Sequence, residues 1–432
     1  MLDLLGASTE SSARVLECFF FGLSLGAAVA SYLLPRIERP WRLVGRIELG
    51  VAFLSVPALL LPQWTGVIWS SLGPERLVSW EGWTLKTVCS MLIILPPAFL
   101  MGMSFPVLVS IGVGARPDAS RRGILLYAGN TIGGMLGLGL LVLVTLQLLG
   151  AAGSMLLMMG VNLAVALWCF QRDRQHGAQG ASSKSTSLQA SRAFSLSQIG
   201  ILPLGIAFVS GAGVLAVEVL ALALANLCAP LSIYPQSSIL GCVILLLAVA
   251  AWVVAKIGEH QRLPLPILSV SMGLACVGTA LAPVIFLSLP GVRDGLFGYG
   301  HSFGEFLMTL AGGIFASLSP AMLFAGMVFP LVILWSRGEG SLPGRQMGLL
   351  LAVNGIGGIA GTEIAYRVLL PRFGVHVSMG IVGVCYGLVS LVLVILAKER
   401  HVGRFLWSLA AAMIACYVTS AILVRLPLYF RS

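Results

Sequence analysis

Charge is what this chain has least of. Of its 432 residues 10% are charged and only 16 are acidic, while 58% are hydrophobic. A soluble domain of that composition would leave far more apolar surface in water than such domains carry, which excludes one. Histidine is equally sparse, five residues with no ligand spacing, and the eight cysteines contain no CxxC pair. Scattered through apolar runs, the cysteines read as small buried side chains, so neither a disulfide framework nor a metal site is expected, and no cofactor. The first apolar run follows Asp3 and Glu10 rather than a basic stretch, so no cleavable signal peptide is predicted.

What the chain has in abundance is long apolar runs, with a mean hydropathy of +0.98. A hydrocarbon core about 30 Å thick takes about 20 apolar residues to cross as a helix. Runs of that size occur near 13–34, 43–62, 86–113, 123–147, 150–170, 199–227, 231–256, 264–289, 303–335, 346–370, 376–397 and 405–424. The expectation is an all-α polytopic membrane protein of about twelve spans, whose first partner is the lipid bilayer.

The net charge of +10 does not mark a nucleic-acid surface, because the basic residues sit at span ends. Arg36, Arg39, Arg42 and Arg46 follow the first span; Arg116, Arg121 and Arg122 the third; Arg172, Arg174, Lys184 and Arg192 the fifth. Lys256, Arg262, Arg337, Arg345, Lys398, Arg400 and Arg404 continue the alternation. By the positive-inside rule these loops are cytoplasmic, which puts both termini outside a cell inner membrane. Trp64, Trp69, Trp80 and Trp83 cluster in one outside loop and read as interfacial anchors.

Displaced by 224 residues, the chain matches itself. Pro96/Pro320, Gly102/Gly326, Phe105/Phe329, Pro106/Pro330, Arg121/Arg345, Asn130/Asn354, Gly133/Gly357, Gly134/Gly358 and Gly137/Gly361 coincide without a gap. The register extends to Cys18/Cys242, Pro40/Pro264, Gly150/Gly374 and Ser154/Ser378. One step contains six spans, an even number, so the two repeats share an orientation, as in the major facilitator superfamily (MFS). The domains expected are an N-terminal membrane lobe over 1–171, a polar cytoplasmic linker over 172–198, a C-terminal lobe over 199–398, and an extra span with a short tail over 399–432. The span at 199–227 has its counterpart before Met1, so the first helix of the first repeat is expected to be missing, with Met1 in question as the true start.

Gly102-Met103-Ser104-Phe105-Pro106, Leu126-Tyr127-Ala128-Gly129-Asn130-Thr131-Ile132-Gly133-Gly134 and Ser210-Gly211-Ala212-Gly213-Val214-Leu215-Ala216-Val217-Glu218 resemble the membrane part of the fused transporter-like/spermidine synthase proteins of bacteria. The resemblance runs to about residue 400. It implies an MFS-like bundle, a small amine or polyamine-like solute, and a soluble synthase-like partner, because the aminopropyltransferase-like domain of fused members does not follow here. An enzymatic role is not expected of this chain. Two functions stay open: a carrier working by alternating access, or a non-transporting scaffold for a separately encoded synthase-like enzyme.

Several residues are candidates for a solute or ion path. Pro96 and Pro97 with Gly102 and Pro106, and Pro320 with Gly326 and Pro330, remove backbone hydrogen bonds within apolar spans, which lipid tolerates only where protein or a wet cavity satisfies the freed groups. They predict a pair of interrupted spans. Glu218 lies about two thirds along its span, where an acid costs a few kcal/mol unless it faces a partner or a cavity, so it is a site for a proton or a cationic amine. Glu363 and Arg367, four apart, project from one helical face and can pair. Asn130 and Asn354 are expected to bond helix to helix. Gly129/Gly133/Gly137 and Gly357/Gly361 are small residues four apart that permit close helix approach. Gly355-Ile356-Gly357-Gly358-Ile359-Ala360 approaches a dinucleotide fingerprint, but that chemistry needs a preceding strand. The basic turn from Arg36 to Arg46 loosely resembles the cytoplasmic turn that latches facilitator carriers, though topology explains it as well.

Overall fold

The structure is a computed structural model that describes residues 9–60, 80–113, 119–177, 199–229, 233–258, 264–289, 302–336 and 343–397. The predicted span at 405–424, most of the linker, and Trp64 and Trp69 lie outside the described residues. Eleven long helices follow in chain order: α1 (Thr9–Leu33), α2 (Pro40–Leu54), α3 (Trp80–Val113), α4 (Ala119–Leu140), α5 (Leu146–Gly177), α6 (Ile201–Cys228), α7 (Ile233–Ile257), α8 (Pro264–Ser288), α9 (Phe303–Trp335), α10 (Pro343–Glu363) and α11 (Leu370–Ala397). No strand occurs among the described residues.

Two helical runs are too long for one crossing. Ala119–Gln175 has 57 residues and Pro343–Leu396 has 54, roughly 80 Å each at 1.5 Å per residue against a core of about 30 Å. Each passes through a π-helical turn, Leu141–Thr145 or Ile364–Leu369, and then breaks at a glycine. Gly150 has φ 68° and ψ −176°, and Gly374 has φ 70° and ψ 173°. Only glycine adopts that region readily. The serine four residues on donates to the glycine carbonyl in both places, Ser154 at 2.7 Å and Ser378 at 2.5 Å. Each run is thus two spans joined at one residue, which gives the eleven crossings expected between 13 and 397.

The duplication is preserved in three dimensions. Thr9/Ile233, Pro40/Pro264, Ala119/Pro343 and Leu146/Leu370 are the first residues of corresponding helices, all 224 apart. Packing repeats pair for pair: α1 on α3 as α7 on α9, α2 on α3 as α8 on α9, and α2 on α5 as α8 on α11. In the first repeat, Ala30, Ile47, Val51 and Met103 form one buried cluster and Leu34, Val44, Val107 and Cys169 another. Packing also divides the chain into two compact units, Met1–Leu126 with Gly137–Val209 and Ser336–Ile359, and Tyr127–Leu136 with Ser210–Trp335 and Ala360–Ser432. This division follows contact rather than descent, because α10 as far as Ile359 and the first turns of α6 pack with helices of the first repeat.

The predicted interruptions at the prolines are corrected. α3 runs unbroken through Pro96, Pro97 and Pro106, and α9 through Pro320 and Pro330. A proline removes one donor but leaves the neighbouring turns of the ladder intact. In a bilayer those remaining bonds have no water to replace them, so the helix continues. The breaks fall instead at Gly150 and Gly374, where a free φ is required.

Candidate functional site

The apolar run Ile201–Cys228 forms α6 with no charged residue except Glu218. It is the most enclosed span described: 83% of its most apolar stretch is buried, against 11% for Ala119–Gln175. Val214 through Ala225 are buried without exception, and Glu218 itself is 6% exposed. Its carboxyl group has no hydrogen-bond or ion-pair partner among the described residues.

Two helices seat this part of α6. A Cβ on Gly361 of α10 would collide with the carbonyl of Ala212, and one on Gly213 of α6 would collide with the hydroxyl of Tyr386 on α11. Each glycine is therefore what lets its neighbour in. Thr362, beside Gly361, is fully buried, and Tyr386 is 1% exposed. Neither hydroxyl has a hydrogen-bond partner among the described residues. Glu218 lies five residues beyond Gly213, about 7 Å farther along the axis. Glu218 and the Tyr386 hydroxyl thus both lie along the buried stretch of α6, and Thr362 follows the glycine that seats α10 on it. The sequence reading named only the acid; Thr362 and Tyr386 lack any local pattern, and only the packing of α10 and α11 on α6 reveals them.

The other predicted residues divide. Gly357 meets the carbonyl of Phe208 on α6, so the α10 glycines do mediate close approach. Asn354 donates Nδ2 to the Ala207 carbonyl at 2.9 Å, the helix-to-helix bond expected of it. The first repeat departs: Gly129, Gly133 and Gly137 have nothing within 4 Å of an added Cβ, and Asn130 is exposed with no partner among the described residues. The expected close approach is not made there among the described residues, because no atom comes within van der Waals reach of a Cβ at these glycines. The Gly355–Ala360 run lies inside α10, a helix without a preceding strand.

Gly102 and Gly326 are buried packing positions. A Cβ on Gly102 would strike the backbone of Leu23, and one on Gly326 would come within 2.8 Å of Leu247 Cδ2, the residue 224 beyond Leu23. Pro106 and Pro330 are buried, whereas Pro96, Pro97 and Pro320 are half-buried. The backbone at Pro320 lies against Gly278 of α8. Glu363 and Arg367 form the predicted pair across one turn, half-exposed, where α10 passes into its π-helical continuation.

The repeats also meet within each unit. In the first unit Ser31 of α1 donates to the Arg345 carbonyl at 2.7 Å. Gly344 lies against the Pro106 carbonyl and Gly348 against the Ala27 carbonyl, near enough that neither tolerates a Cβ without movement. In the second unit the rings of Tyr127 and Phe329 stand 5.6 Å apart. The basic turn pairs within its own repeat: Arg42 Nε lies 3.0 Å and Arg39 Nη1 3.9 Å from Asp173 Oδ2 at the end of α5. Asp173 was not foreseen; its signal is one acid inside the basic end of a span.

A duplicated bundle of long apolar helices with these paired contacts defines an all-α polytopic membrane protein, and its fold is that of the MFS transporters. Among solved structures it is similar to FucP in the outward conformation, an MFS transporter, at 14% identity over 91% of this chain and 92% of that one, with a TM-score of 0.54. A variant of the E. coli fucose:proton symporter FucP matches at 13% identity over the same shares, with a TM-score of 0.52. No protein-family model and no curated protein matches the sequence.

Proposed function

We propose that the protein is a membrane carrier that moves a small solute by alternating access, with Glu218 holding the cation or the coupling proton. The observation that carries this reading is the buried acid of α6, 6% exposed and without a partner among the described residues. A membrane helix retains an unpaired acid at considerable cost, and function is the ordinary reason. Tyr386 brings a hydroxyl to Gly213 of the same helix and Thr362 carries another beside Gly361, and both can accept from an ammonium as well as donate. The likeness to FucP, titled a fucose:proton symporter, supports a carrier fold and makes proton coupling a natural arrangement. The amine character of the solute rests on the resemblance to the synthase-fused proteins and on the acid itself. Glu363 and Arg367, already paired, serve as a structural ion pair in this scheme.

Alternating access requires one side to open as the other closes. The contacts of Ser31 with Arg345 and of Gly348 with Ala27 are the ones that must part for the cytoplasmic side to open. Uptake of labelled putrescine and spermidine into proteoliposomes, with and without a pH gradient, tests the reading. Gradient-dependent flux in the native chain that is lost in Glu218→Gln, with the variant still folded, is the expected result. Unaltered flux in the variant removes Glu218 from the mechanism. Absence of any flux from folded protein favours the scaffold for a soluble synthase-like partner.

A further inference from the structure

We propose that the seam between α2 and α5 binds the headgroup of an anionic phospholipid, with Arg172 on its phosphate. The inference is independent of the transport reading, and the seam lies within the first compact unit. α5 turns from mostly apolar to polar after Phe170, so Trp168 and Arg172, one turn apart, straddle that boundary. The Arg172 guanidinium lies over the Trp168 ring, 5.3 Å from its centroid, and that ring meets Trp41 of α2 edge to face at 5.4 Å. The buried Asp173 holds Arg42 at 3.0 Å and Arg39 at 3.9 Å. Arg172 is exposed and touches no acid among the described residues. An arginine lying over an indole keeps its N–H donors, in the fork that matches a phosphate.

The surroundings choose a lipid over a soluble anion. Val161 and Val165 continue the face of Trp168 along α5, and both are exposed. They give an acyl chain an apolar track that ends beneath Arg172, and tryptophan rings sit at headgroup depth. The positive-inside rule puts this end in the anionic leaflet, where basic pockets between membrane helices hold such headgroups. The second repeat separates this set from packing. α8 packs on α11 as α2 does on α5. Yet Trp41, Arg42, Trp168, Arg172 and Asp173 are matched, 224 residues on, by Leu265, Pro266, Val392, Leu396 and Ala397. The same helix pair closes there with none of these charges or rings. Topology alone asks only for bases near a span end, and needs neither a buried acid holding two of them nor an indole under a third.

Lipid retention by the purified full chain, read by native mass spectrometry, tests this with phosphatidylglycerol against phosphatidylcholine. The native chain is expected to bind phosphatidylglycerol about tenfold more tightly. Arg172→Gln is expected to lower that affinity about fivefold, as befits one base at a membrane surface, and to leave phosphatidylcholine unchanged. Arg174→Gln removes the same charge from the other side of α5 and is expected to change the affinity by less than about twofold. Equal affinity of the native chain for the two lipids overturns the proposal, and so do equal losses in the two variants, which mark a diffuse field of bases. Displacement of the lipid by inorganic phosphate, and not by chloride at the same ionic strength, also overturns it, because the site then takes a soluble anion. Melting in lipid nanodiscs gives a second readout. The native chain is expected to melt higher in phosphatidylglycerol than in phosphatidylcholine, and Arg172→Gln to match it in phosphatidylcholine and lose the gain. A gain kept in full by the variant defeats the idea.

Discussion

Asn354 reaches across from α10 and donates to the carbonyl of Ala207 at 2.9 Å, fastening α10 to the first half of α6. The bond lies at the edge of a tight contact, since Gly357 one turn on abuts the same helix. Interhelical hydrogen bonds of this kind average about 0.6 kcal/mol in membranes and reach about 1.7. Asn354→Ala is therefore expected to lower stability by about 0.5–2 kcal/mol, read as a lower melting temperature in detergent. An unchanged melting temperature would mean that the bond contributes nothing net.

The paired glycines of α3 and α9 should respond unequally to the same substitution. At Gly102 the obstacle is the Leu23 backbone, which cannot give way, whereas at Gly326 the nearest atom is the flexible end of Leu247 at 2.8 Å. Gly102→Ala is expected to cost about 1–3 kcal/mol, as overpacking usually does, and Gly326→Ala less than about 1. Thermal unfolding of the two single variants compares them directly, and equal losses would refute the distinction.

Glu218 offers a test of function against structure by its effect on stability. An acid held without a partner among the described residues opposes folding, so Glu218→Leu is expected to raise the melting temperature, by an equivalent of about 2–3 kcal/mol, while flux disappears. A lower melting temperature would show that the carboxyl group holds helices together, and the carrier reading would lose its charge site.

Backbone strain alone should decide the outcome at Gly150 and Gly374. Both have positive φ with extended ψ, and nothing surrounds a Cβ at either. Alanine meets no neighbour there and still suffers the conformation, at about 1–3 kcal/mol each. Gly150→Ala and Gly374→Ala, measured by unfolding in detergent, are expected to fall in that range, and a neutral effect would mean that the joint relaxes.

Much of this architecture is legible in the residues. A fixed offset that pairs Pro40 with Pro264 and Gly150 with Gly374 carries helix starts and breaks along with it, because these are local properties of proline and glycine. The prolines of α3 and α9 misled for a related reason. A proline predicts a missing bond, but whether the helix stops depends on its solvent, and in lipid the remaining ladder holds. The unequal fates of Gly357 and Gly133 were hidden, since spacing states that a helix can approach and not whether one does. Tyr386 and Thr362 gave no local signal, because a lone tyrosine or threonine in an apolar run acquires its meaning from the helix it faces. Asp173 was visible as one acid among bases, and its pairing with Arg42 needed the distance between α2 and α5 to be known.

The joints at Gly150 and Gly374 also set how the helices beside them can behave. A joint of a single residue leaves no slack, so the end of α4 fixes where α5 begins, and the end of α10 where α11 begins. Displacing one of those ends displaces the other at once, as at the pin of a pair of dividers. An insertion at either glycine would separate the two helix ends that it now holds together.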